Sequence, residues 1–294
     1  MTVGSILRGG FGLIRTRPGA VAIWGALYLA AALLGLAFVT PAMSTLAATP
    51  PDFEAMRPIM GMIWLYDLLL LVVMTVIFAA IFRAVIRPDQ SRFAYLRLGM
   101  DELRLIGLAL LLGIVAVVAM VIASLLIALL VGVIGYAMGT QAAVVVLSVI
   151  LFIALGCAAL WLEVRLSIAF PLTIMRGRIT IGEAWRLTAG RFWTLFGAYL
   201  VGTLVISLLS MIVFWPMFGS YLVDMMHASG DPQRMNAIAQ AQLARTLHPG
   251  PAMIAMWLVG GAVYAIGLAL GGGMVATAAV ELTGNGDGEA AIFD

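Results

Sequence analysis

Of the 294 residues, 64% are hydrophobic and 10% are charged, and the mean hydropathy is +1.12. A soluble domain carries about 25% charged residues, so this chain lacks the polar surface to stay dissolved in water and is expected in a bilayer. The net charge is +2, all the basic residues are arginine, and the one cysteine, Cys157, lies in an apolar run. An intrachain disulfide framework and a cysteine-rich metal site are thereby excluded, and Cys157 reads as a small packing residue.

In chain order, "ILRGGFGLIRTRPG" (6–19) is a short stretch bearing Arg8, Arg15 and Arg17 that leads into an apolar run at 19–40. That run is long enough to span and is expected to be retained rather than cleaved as a signal peptide. A second span is predicted over 59–82, after a polar connection at 41–58 with Pro50, Pro51, Asp52 and Glu54. "YLRLGMDELRLIG" (95–107) feeds a third span at 105–133. The tight turn "GYAMGTQ" (135–141) leads to a fourth at 142–170. "AWRLTAGRFWTLFG" (184–197) feeds a fifth at 194–218, and the sixth covers 252–280. Each run has the length and composition of a transmembrane helix. The alternating ten-residue segments of a membrane β-barrel do not occur.

Arg8, Arg97 and Arg186 are each separated by 89 residues, and Arg15 and Arg104 share that spacing. Three parallel repeats follow, about 1–89, 90–178 and 179–282, each an interfacial helix plus a transmembrane hairpin within one six-span domain over 1–282. The predicted fold class is therefore an all-α transmembrane six-helix bundle. Most arginines fall on one side of the alternating spans. The positive-inside rule then puts both termini in the cytoplasm, and the expected location is a bacterial inner membrane.

In the third copy, Thr180 and Glu183 read as a capping box. Ile181, Trp185, Thr188 and Phe192 share one helical face, and Gly190 and Arg191 mark the bend into span five. Such a helix suits the headgroup layer, with Trp at the boundary and Arg on anionic phosphate. Arg8, Arg97, Arg186 and Arg191 are the candidate headgroup contacts. The outer loop at 221–250 is expected to hold an amphipathic helix started by Asp231 and Pro232. The tail at 283–294 is acidic and glycine-rich and is expected to be flexible, and its N-G-D-G lacks the later ligands of a calcium loop.

Asp67, Glu163 and Arg165 are ionisable residues inside apolar runs and form the candidate intramembrane polar site, a structural clamp or a proton or substrate path. Both histidines, His227 and His248, lie in the outer loop and read as solvated. No hydrolase, zinc, Walker or dinucleotide motif is present, so neither catalysis nor a cofactor or metal is expected. Span six carries Gly260, Gly261, Gly267, Gly271, Gly272 and Gly273. Gly267 and Gly271 make a G-x-x-x-G pair for close packing, and 271–273 reads either as packing or as a hinge.

The stretch "RLSIAFPLTIMRGRITIGEAWRLTAGRFWTLFGAYL" (165–200) resembles a group of bacterial six-span proteins. That group includes the membrane part attached to some glycerophosphoryl diester phosphodiesterases. The matching features are Arg165, Pro171, Glu183-Ala184-Trp185-Arg186-Leu187 and Gly190-Arg191-Phe192-Trp193. The catalytic barrel of those enzymes is absent, so the resemblance implies a stand-alone membrane module. The leading expectation is a non-enzymatic protein that binds lipid or organises the membrane through an arginine-rich cytoplasmic face. The alternative is a small transporter or permease using Asp67, Glu163 and Arg165. Expected partners are membrane lipids, anionic ones included, with a protein partner or a second copy as the other option, and no nucleic acid.

Overall fold

The computed structural model describes residues 1–48, 53–138, 140–247 and 249–284, with helices and no strand among them. The helices are α1 (Val3–Thr16), α2 (Pro18–Ala48), α3 (Phe53–Ile86), α4 (Met100–Met138), α5 (Gln141–Leu166), α6 (Ala169–Arg176), α7 (Ile181–Leu187), α8 (Phe192–His227), α9 (Pro232–Leu247) and α10 (Pro251–Leu282). Six of these, α2, α3, α4, α5, α8 and α10, are long and apolar enough to cross a membrane. The chain is an all-α, multi-pass membrane protein. Helices suit that solvent because each backbone N–H and C=O is bonded within its own segment.

Local sequence sets the breaks. Proline opens α2 and α10, where its missing N–H costs nothing. Gly177 ends α6 at φ +63°, and Gly190 separates α7 from α8 at φ +73°, a conformation that residues with a Cβ rarely adopt. Helix α9 starts as expected: Asp231 Oδ1 accepts from the backbone N–H groups of Gln233 (3.0 Å) and Arg234 (3.1 Å). Four spans, α2, α3, α4 and α8, run past their expected ends, and α4 and α8 are the longest. The 39 residues of α4 and the 36 of α8 give lengths of about 58 and 54 Å at 1.5 Å per residue. A hydrocarbon layer is about 30 Å thick, so these helices must tilt or protrude.

The helices meet closely at one end, here the terminal end, where α1 seats against the last turns of α10. Ser5 donates to Glu281 there at 3.0 Å. Three neighbouring clusters fill this end. One joins Ile6, Leu108, Ile168, Leu172, Leu195, Leu270 and Met274. A second joins Leu13, Trp24, Ile77, Ile81 and Ala269, and a third joins Phe82, Leu105, Ile174 and Ala276. Helix α10 runs through the middle, in contact with α1, α2, α3 and α8. Its glycines and alanines allow the backbones to approach. A Cβ on Gly273 would lie 3.0 Å from the Gly10 Cα, and one on Gly10 would lie 2.8 Å from the Leu270 carbonyl oxygen.

Four local expectations are corrected. The second copy has no separate interfacial helix: residues 92–95 form a tight turn, 96–99 are not helical, and the arginine-bearing stretch from 100 onward is already α4. The Thr180–Glu183 capping box does not form. Thr180 makes no side-chain cap bond, its hydroxyl is buried without a partner, and Glu183 pairs instead with Arg176 at 2.7 Å. A charged donor outcompetes a backbone amide for a carboxylate. The G-x-x-x-G pair is not where packing is tightest. Gly271 has open space where a Cβ would go, whereas Gly260 faces Phe214 and Gly272 faces Ile81. Cys157 is exposed on α5 rather than packed inside, because that helix touches little protein until its last turn.

Candidate functional site: the arginine-bearing end

The terminal end gathers most of the arginines and sorts them into two kinds. The first kind is internal. Arg83, at the end of α3, is almost wholly buried and pairs with the equally buried Glu102 in the first turn of α4. Arg83 also donates to the Tyr95 carbonyl at 3.2 Å and lies 3.6 Å from Asp101. Asp101 reaches Arg87 at 3.8 Å and Arg104 at 3.4 Å. Glu102 accepts the Gly99 N–H at 3.0 Å and so also caps α4. Arg87 donates to the Ile174 carbonyl at 3.1 Å, tying in α6. A buried pair of this type is not automatically stabilising, but losing one member leaves an uncompensated charge worth about 3–5 kcal/mol.

This clamp holds an unusual turn. Phe93, Ala94 and Tyr95 have φ of 52°, 53° and 63°, in the left-handed region, at a cost of about 1–2 kcal/mol each for residues with a Cβ. Three bonds fix it: Trp24 Nε1 donates to the Ala94 carbonyl at 2.9 Å, Arg83 to the Tyr95 carbonyl, and the Tyr95 hydroxyl to the Pro88 carbonyl at 2.9 Å. The turn buries Tyr95 and leaves Phe93 84% exposed. Arg17 lies 5.6 Å above the Tyr95 ring.

The second kind of arginine faces outward. Arg8, Arg15, Arg92, Arg97, Arg178, Arg186 and Arg191 are exposed and have no carboxylate within 4 Å among the described residues. The candidate headgroup residues Arg8, Arg97, Arg186 and Arg191 all belong to this set. Arg97 has one side-chain bond, to Gln90 at 3.2 Å. Exposed aromatics accompany them: Phe11, Phe93, Trp185 and Trp193. Helix α1 carries its arginines on the face opposite Ile6 and Leu13, which are buried against the bundle. It sits on the protein core, and the side that remains free carries Arg8, Arg15 and Phe11.

The three candidate intramembrane residues are not joined. Asp67 is exposed on α3 and Glu163 is exposed on α5, and neither has an ion pair among the described residues. Arg165 lies in the last turn of α5 with its Cζ 4.4 Å from the Trp185 ring centre and 5.5 Å from that of Trp161. The two rings are perpendicular, 5.3 Å apart, so the guanidinium occupies a corner between their faces. Its Nη2 donates to the Trp185 carbonyl at 2.8 Å, and its Nε is buried without a partner. The Thr188 hydroxyl donates to the Arg165 carbonyl at 3.1 Å, locking α7 onto the end of α5. Cation–π contacts of this kind contribute about 0.5–2 kcal/mol each.

Sequence reasoning missed the Arg83–Glu102 clamp. The available signal was an arginine inside "FAAIFRAVIRPD" followed by adjacent acids at the start of an apolar run. His227 is exposed, and His248 lies outside the described residues. Among the described residues, no three His, Cys, Asp or Glu side chains stand close enough to hold a metal ion. No protein family, curated protein or solved structure matches the chain.

Proposed function

We propose that this protein is a non-enzymatic membrane module whose arginine-bearing end engages anionic lipid headgroups. The observation that carries this reading is the set of outward arginines without carboxylate partners, placed beside exposed Trp and Phe at one end of a six-span bundle. Arginine pairs readily with phosphate. Near an anionic surface each basic residue contributes about 1 kcal/mol of attraction, while aromatic side chains settle at the headgroup boundary. The positive-inside rule supports a cytoplasmic position for this end, in a bacterial inner membrane. The repeat spacing and the motif at 165–200 support kinship with the stand-alone membrane parts of six-span proteins, including those attached to glycerophosphoryl diester phosphodiesterases.

The test is reconstitution in nanodiscs containing a fixed zwitterionic lipid and graded phosphatidylglycerol, with annular lipid composition read by mass spectrometry. Wild type is expected to enrich the anionic lipid, and Arg97→Gln with Arg186→Gln to enrich it less. Arg234→Gln, on α9 at the other end, is expected to match wild type. Equal enrichment by all three proteins overturns the reading. Reporter fusions after residues 92 and 180 are expected on the cytoplasmic side and after 235 on the opposite side; a cytoplasmic signal at 235 overturns the orientation.

A further inference from the structure

The outward arginines form a diffuse surface, but Arg165 differs from them. It is partly buried, its guanidinium plane is held by two perpendicular indoles, and its one hydrogen-bond acceptor is neutral, the Trp185 carbonyl. Its Nε has no partner. Glu163 is the nearest acid in sequence, yet it has no ion pair with Arg165. Two positions apart on a helix, the side chains leave at about 160° to each other. A guanidinium presents five donors in a rigid fork, and here the protein satisfies few of them. The rings explain how the cation tolerates its apolar surroundings without a counterion. They also keep the fork from wandering, so little side-chain freedom remains to be lost when an anion arrives.

We propose that the corner built by Trp161, Arg165 and Trp185 is a discrete binding site for one phosphate group. The fork supplies paired N–H donors to two phosphate oxygens. The indole walls provide an apolar flank that suits the glycerol and upper acyl region of a phospholipid, and Trp161 and Trp185 remain partly open to receive it. Arg186, exposed and next in sequence to Trp185, adds positive potential on α7. This site deepens the proposed lipid-engaging function and rests on it, but it is a single saturable position rather than a charged surface.

The experiment uses the full chain in neutral detergent, with native mass spectrometry and tryptophan fluorescence as readouts. Phosphatidylglycerol, diacylglycerol of the same chains and inorganic phosphate are titrated separately. Wild type is expected to bind one phosphatidylglycerol saturably and to ignore diacylglycerol. Saturation by inorganic phosphate at equal or lower concentration identifies free phosphate as the source, whereas tighter lipid binding identifies a headgroup. Arg165→Met is expected to weaken the saturable event at least tenfold, and Arg165→Lys to weaken it less. Trp185→Leu keeps the cation but removes a wall, and is also expected to weaken binding if Arg165→Met fails to fold. A structural staple between α5 and α7 would lower the melting temperature in these variants without changing phosphate affinity in the folded fraction. That result, or no saturable phosphate binding by wild type, overturns the proposal. The two readings separate cleanly. If Arg97→Gln with Arg186→Gln reduces annular enrichment while Arg165→Met leaves the saturable event intact, the site falls and the surface stands. If Arg165→Met abolishes the event while annular enrichment never exceeds bulk, the surface falls and the site stands.

Discussion

The terminal end and the α4–α5 hairpin are made from similar apolar residues, yet they are built in opposite ways. At the terminal end, Ile6, Ile77, Ile81, Leu105, Leu108, Leu172, Leu195 and Leu270 are fully buried, and charged groups tie neighbouring helices together. Along the outer part of the hairpin, Ile114, Val118, Ile122, Leu125 and Leu129 of α4 and Val149, Ile153 and Leu160 of α5 are exposed. Hydrophobicity alone therefore does not decide which helices pack. Lipid tails are as apolar as leucine, so helix association needs small residues that permit close contact or polar groups that bond across. Helix α10 has both, in its glycines and in Glu281. Further along α4, Gly113 and Gly132 have nothing within 4 Å of a Cβ built there, and Gly135, beside the turn, meets only the Val144 side chain of α5. A small residue creates an opportunity for contact, and a partner must still arrive.

The largest test of this contrast breaks the clamp. Glu102→Gln is expected to cost up to about 3–5 kcal/mol, because the buried Arg83 would lose its nearest carboxylate and keep only Asp101, 3.6 Å away. Arg83→Met combined with Glu102→Leu is expected to recover much of that loss. Thermal or denaturant unfolding in detergent measures both; a single variant as stable as wild type would show that water reaches the pair. Truncations sharpen the comparison next. Leu108→Ala, at the buried start of α4, is expected to cost about 2–5 kcal/mol, whereas Leu125→Ala, nearly five turns further along the same helix, is expected to cost less than about 1 kcal/mol. Equal losses would mean that the outer part of the hairpin is covered by protein.

Glycine substitutions follow at smaller magnitude and with opposite signs. Gly273→Val would force a side chain toward the backbone of α1, with an expected loss of about 1–3 kcal/mol from overpacking. Gly113→Ala meets open space and is expected to be neutral or to stabilise by up to about 1 kcal/mol through helix propensity. The comparison of melting temperatures in the same detergent decides the sign. The least perturbing test uses the native thiol. A spin label on Cys157 is expected to be relaxed by oxygen dissolved in lipid and little affected by a water-soluble nickel complex. Protection from both would place a second copy or another protein on the hairpin.

Some of this design was legible in the sequence because bilayers impose simple rules. Six apolar runs of spanning length, the Gly190 bend and the Asp231–Pro232 start of α9 are local or compositional features, and each appears in the structure. Arginine density marked the terminal end in the sequence, and Arg8, Arg97, Arg186 and Arg191 are exposed there. The errors came where two local options competed. Glu183 could cap a helix or meet Arg176, and residues 95–107 could form a separate helix or merge with α4.

Length, composition and arginine placement determined that this chain is a six-span helical membrane protein, because the cost of exposing backbone and charge to lipid overrides most other choices. Tertiary structure alone decided which arginines are internal. Arg83 and Arg97 look alike in sequence, but the left-handed turn at 93–95 places the Tyr95 carbonyl against the first and leaves the second facing outward. It also decided that Arg165 stands between Trp161, one turn earlier on the same helix, and Trp185, twenty residues onward on another. The 3.6-residue period brings the first pair together, while the second depends on the break after α5 and the docking of α7, which no local pattern encodes.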